Sequence, residues 1–88
     1  MNRTEFYEIV KNENLDRYPI GDSKQVSIAP YVFGCVYVDG NWCVYENDER
    51  GESNIIFRYQ IEDEGLDSLL SILRKKKRRD ELMKKMRR

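Results

Sequence analysis

Eighty-eight residues, 40% of them hydrophobic and 36% charged, fit one small domain with a heavily ionic surface, and exclude both a largely disordered chain and a large enclosed cavity. A chain this short buries only about 60 to 65% of the surface it exposes when unfolded. The formal net charge of zero hides a division, because residues 1–73 carry six basic residues against fourteen acids, a net of −8, whereas residues 74–88 carry ten against two, a net of +8. The expected organisation is a single acidic α+β domain over residues 1–73 followed by a basic helical extension over 74–88.

No histidine is present, which excludes imidazole base catalysis and Ser-His triads and removes the commonest transition-metal ligand. No catalytic, metal or cofactor site is expected, and an enzyme is the least favoured class. No run approaches the roughly 18 apolar residues of a membrane span, and the opening Met-Asn-Arg-Thr-Glu-Phe has no apolar leader core, so a cytoplasmic protein without membrane contact is expected.

In chain order, Thr4 to about Lys11 reads as a short helix with Phe6, Ile9 and Val10 on one side. Asn2 is its N-cap, with Glu5 three residues later completing a capping box. Residues 12–23 are dominated by turn formers; Pro19 and Gly21 stop any continuing helix, while Leu15, Tyr18 and Ile20 are expected to reach the core. Gln25 to Ala29 reads as a short edge strand ended by Pro30.

The centre of the chain is Tyr31 to Ile61, three runs rich in β-branched and aromatic residues separated by turn formers, which describes an antiparallel meander of three strands, four if the edge strand joins. A two-residue turn at Asp39-Gly40 sets Val38 against Asn41, Tyr37 against Trp42, Val36 against Cys43 and Cys35 against Val44. The two cysteines then lie on opposite faces, which argues against a disulfide. In the third strand Ile55, Phe57, Tyr59 and Ile61 alternate with Ile56, Arg58, Gln60 and Glu62, so a sheet buried on one face and wet on the other is expected.

Its cover is the next segment. Asp63 reads as an N-cap, and Leu66, Leu69, Leu70 and Leu73 form a helical stripe whose burial would contribute roughly 1.5 to 3 kcal/mol per leucine. Without Gly or Pro the helix is expected to continue through the tail, helped by Asp80–Lys84 and Glu81–Lys85 pairs, to a length of roughly 34 Å. Such a helix outruns a body with a radius of gyration of about 11 Å.

Three features admit two readings each. The acids Glu46, Asp48, Glu49 and Glu52 form either a solvated turn or an interaction surface; they lack the residue order of a calcium loop. Trp42 is either a core anchor or an aromatic contact residue. Arg74, Lys75, Lys76, Lys77, Arg78 and Arg79 either contact phosphates or form a solvated helix end.

The order of pieces, and the local pattern Gly40, Trp42, Val44, Tyr45 followed by an acidic loop ending Glu49, Arg50, Gly51, resembles the immunity proteins of bacterial polymorphic toxin systems, and among them the immunity protein 59 family. The resemblance covers about residues 6–73. It departs at Gly65-Leu-Asp-Ser-Leu-Leu, where that family has a helix centre rich in small residues, and in the basic tail. The resemblance implies a cytoplasmic protein that neutralises a cognate toxin domain, such as a basic nuclease, by direct contact. Within that reading Glu46, Asp48, Glu49 and Glu52 contribute to the contact, or Glu49-Arg50-Gly51 is structural, with Gly51 at positive φ and Arg50 paired locally. Two other classes compete: a nucleic-acid-binding accessory protein of a phage or mobile element working through the basic helix, and an assembly subunit whose helix pairs through Leu73, Leu82, Met83 and Met86. Monomer and dimer both remain open.

Overall fold

The computed structural model describes residues 1–86. Its elements are α1 (Arg3–Asn12), a single 3-10 turn (Leu15–Arg17), β1 (Phe33–Val38), β2 (Asn41–Asn47), β3 (Ser53–Tyr59) and α2 (Glu62–Met86). The strands form one antiparallel sheet in the order β1-β2-β3, so the expected α+β architecture with a meander and a long C-terminal helix is the fold of the chain. Among the described residues no helix is long and apolar enough to cross a membrane.

The local chemistry explains the elements. Asn2 Oδ1 accepts from Glu5 N at 2.8 Å and Glu5 Oε1 accepts from Asn2 N at 3.2 Å, closing the capping box that starts α1. Asp39 and Gly40 both take positive φ, 50° and 84°, which is the twist a two-residue hairpin needs. The β1–β2 register is the one expected, with Cys35 opposite Val44 and Val36 opposite Cys43. The thiols are free and buried on opposite faces.

On one face, Phe6 and Val10 of α1, Leu15, and Leu66, Leu69, Leu70 and Leu73 of α2 pack with Phe33, Cys35 and Val44 into the main core. Tyr18 and Ile20 are pinned against it as expected. Gly65, seen in the sequence only as a departure from a family pattern, is buried where α2 passes β1. Arg3 joins three elements, its Nε donating to Glu62 Oε2 at 3.0 Å and its Nη2 to the Cys35 carbonyl at 2.9 Å.

Five expectations are corrected. Gln25–Ala29 forms no strand; residues 21–32 instead run as a strap over the second face of the sheet, where Val26 and Val32 cover Val36, Cys43 and Tyr45. That face is therefore buried rather than wet over β1 and β2. In β3 the alternation breaks, because Val44 pairs with Phe57 while Tyr45 pairs with Ile55, leaving Ile56 as the extra residue of a bulge. Ile55 and Phe57 accordingly point to opposite faces, and no residue of β3 is buried. Finally, α2 begins at Glu62, so Asp63 lies in its first turn, and Asp80 pairs backwards with Lys76 at 3.3 Å rather than forwards with Lys84.

Candidate functional site

The strap and the β2–β3 loop are built as one unit around Asn47. Its side chain is 2% exposed and fully used: Nδ2 donates to the carbonyls of Ser27 and Ala29, each at 2.8 Å, and Oδ1 accepts from Ser53 Oγ at 2.7 Å. Two residues earlier, the hydroxyl of Tyr45 accepts from Ser27 N at 3.1 Å, and its ring lies where a Cβ on Gly34 would stand. Burial pushes the Tyr45 phenol above its usual range. Nothing in the sequence marks Asn47 as different from any other turn-forming residue; its role follows from chain segments about twenty residues away.

From this base the acidic loop turns back on itself. Asp48 Oδ1 accepts from Arg50 N at 2.8 Å and from Glu52 N at 3.0 Å, and the Asp48 carbonyl accepts from Gly51 N at 3.1 Å. Gly51 has φ 81°, as expected, and a side chain there would also collide with the Ile28 carbonyl oxygen of the strap. Arg50 is exposed, and among the described residues its guanidinium makes no ion pair, so the expected local pairing of Arg50 is not present. Asp48 thus holds the loop, while Glu46, Glu49 and Glu52 are exposed around a shallow concavity of about 380 Å³. Tyr31 lines the same concavity with φ 61° and 61% exposure. A bulky side chain on a left-handed backbone is uncommon and strained, yet here it is held by a Tyr31 N–H donated to the Asp48 carbonyl at 3.2 Å. The sequence placed Tyr31 at the start of a strand and gave no sign of this.

The remaining motif residues are mostly scaffold. Gly40 makes the turn, Val44 and Tyr45 fill the two cores, and Trp42 is half-buried, packed on the main core with its ring 5.3 Å from that of the exposed Tyr37. Trp42 therefore anchors the edge of the core while leaving part of its ring accessible.

The basic segment is not a free tail over its first two turns. Arg74 Nε donates to Glu13 Oε1 at 2.8 Å, Lys77 Nζ donates to the Glu13 carbonyl, and Tyr18 Oη donates to Asp80 Oδ2 at 2.8 Å. The hydrogen bond from Arg74 holds Glu13 below the usual carboxylate range, and that from Tyr18 does the same for Asp80. Arg74, Lys76 and Lys77 are thus engaged within the chain. Lys75, Arg78 and Arg79 are exposed and make no ion pair among the described residues. Lys75, Lys76 and Arg79 also border a cleft of about 490 Å³ that reaches Tyr31 and Glu46, so the basic and acidic regions meet there. Among the described residues no three His, Cys, Asp or Glu side chains are grouped to share a metal ion.

Comparison with models of protein families, with curated proteins and with solved structures returns no match for this chain.

Proposed function

We propose that this chain is a small cytoplasmic binding protein, an immunity protein that neutralises a cognate bacterial toxin domain by direct contact and not by catalysis. The supporting observation is the acidic loop: its backbone is fixed by Asp48, Asn47 and Gly51, so Glu46, Glu49 and Glu52 are presented from a preorganised frame. Fixing charges before encounter lowers the ordering cost of binding, and a negative patch speeds association with a cationic surface such as the substrate cleft of a nuclease. The resemblance of Gly40, Trp42, Val44, Tyr45 and Glu49-Arg50-Gly51 to the immunity protein 59 pattern supports the same reading. The test is co-production of this chain with toxin domains encoded beside it: the wild type rescues growth, and a Glu46→Lys, Glu49→Lys, Glu52→Lys variant, with Asp48 left in place to keep the loop folded, does not.

A second reading rests on Lys75, Arg78 and Arg79, exposed and unpaired among the described residues. In it the basic helix binds nucleic acid through phosphates. Binding to duplex DNA or structured RNA would fall steeply between about 50 and 200 mM salt and be lost on reversing those three charges. Charge reversal is a cleaner test than truncation after Leu73, because Arg74, Lys77 and Asp80 dock on α1 and on Tyr18.

A further inference from the structure

The flank of α2 that overlooks β3 is patterned from end to end. Glu64 and Asp67 stand at its start, Ser71 at its middle and Lys75 beyond, and together with Phe57 and Tyr59 they line a shallow groove of about 460 Å³. Arg78 follows Lys75 at helical spacing and is exposed. The floor is apolar and open, formed by Phe57, which is 47% exposed, with Tyr59 half-buried beside it. Among the described residues β3 pairs only with β2, so its outer edge borders the groove unpaired, bent by the bulge at Ile56.

The order of these charges identifies an occupant. Glu64 and Arg78 lie seven residues either side of Ser71, and Asp67 and Lys75 lie four either side. We propose that a second copy of this chain covers the groove, the two copies related by a two-fold axis near Ser71 with their α2 helices antiparallel. Across that axis Glu64 of each copy faces Arg78 of the other, and Asp67 faces Lys75. Phe57 and Tyr59 from both copies form one shared floor, withdrawn from water between the two helices. A two-fold contact requires a surface complementary to itself, and an acid-to-base gradient with a small residue at its centre has that property. A parallel arrangement would set acid against acid and base against base. An unrelated partner would have to match the gradient independently, whereas a second copy carries it necessarily.

The proposal concerns oligomeric state and is independent of what the acidic loop binds. Sedimentation velocity of the full chain at about 100 µM and at tenfold dilution is expected to show a dimer that dissociates on dilution, and more readily in high salt. Asp67→Lys places two repulsive contacts in the dimer by symmetry and is expected to weaken it by about tenfold or more. The charge swap Asp67→Lys with Lys75→Asp is expected to restore association to within a few-fold of wild type. Both side chains are exposed, and far-UV circular dichroism of each variant confirms that the helix persists. A monomer at the higher concentration, a dimer indifferent to Asp67→Lys, or a swap that does not restore association would each overturn the proposal.

Discussion

Gly65 of α2 and Cys35 of β1 meet with no room for a methyl group, since a Cβ at position 65 would lie 2.6 Å from the Cys35 sulfur. This contact sets how closely the helix approaches the sheet. Gly65→Ala gains about 1 kcal/mol of helix propensity but overpacks a rigid junction, at a cost of typically 1 to 3 kcal/mol. A net loss of stability of about 1 kcal/mol is expected in urea unfolding. Adding Cys35→Ala makes room for the methyl, so the double variant should be more stable than the sum of the single changes; strict additivity would show that the two residues do not press on each other.

Asn47 ties the strap to the sheet with two hydrogen bonds from a buried side chain, which accepts a third from Ser53 of β3. Asn47→Ala leaves the Ser27 and Ala29 carbonyls short of a donor, and a loss of about 2 to 4 kcal/mol is expected. Amide exchange should accelerate in residues 22–32 and in the 48–52 loop well before it does in α2. Uniform acceleration across the chain would contradict the placement of Asn47 as a local clamp.

Burial pushes the Cys35 thiol up to about 11, and Cys43 is enclosed under the strap. Neither sulfur should react with a thiol reagent at pH 8 in the folded protein, because the thiolate is scarce at Cys35 and both are screened. Both should react at once in denaturant. In the Asn47→Ala variant Cys43 should become reactive before Cys35, as mass spectrometry of labelled peptides would show.

The contacts of the basic segment carry a pH dependence. Glu13 and Asp80 have folded-state values below their ordinary 4.5 and 3.8, held down chiefly by hydrogen bonds from Arg74 and Tyr18 respectively. A depressed carboxylate stabilises the fold above its unfolded value and loses that contribution as pH falls through the folded value. Acidification below about pH 4.5 is therefore expected to loosen the 74–86 half of α2 first, seen as faster amide exchange there. Glu13→Gln should loosen it already at pH 7 and flatten the response. Both carboxylates are half-exposed, so the effect is local and screened by salt.

The parts of this fold legible in the sequence are those set by neighbours. The capping box at Asn2 and Glu5, the turn at Asp39-Gly40 with its register, and the leucine stripe from Leu66 to Leu73 are all encoded within a few residues. What escaped reading is set at a distance. Gln25 to Ala29 reads as an edge strand ended by Pro30, whereas its backbone is held by the side chains of Tyr45 and Asn47. The bulge at Ile56 is invisible in a run that alternates cleanly. Helical spacing alone pairs Asp80 with Lys84, but Tyr18, sixty-two residues away, draws it the other way. At the candidate site the four acids stand out in the sequence as a group; that Asp48 serves the loop while Glu46, Glu49 and Glu52 face solvent follows only from the geometry.

The fixed acidic loop is proposed as the surface that meets a cationic toxin domain. Its most direct test is the association rate between this chain and a toxin domain encoded beside it, measured by stopped flow at low and physiological salt for the wild type and for the Glu46→Lys, Glu49→Lys, Glu52→Lys variant. Fast, salt-sensitive association is expected for the wild type, and a rate at least about tenfold lower, with weakened salt dependence, for the variant. Equal rates for the two proteins, with the loop still folded, would contradict it.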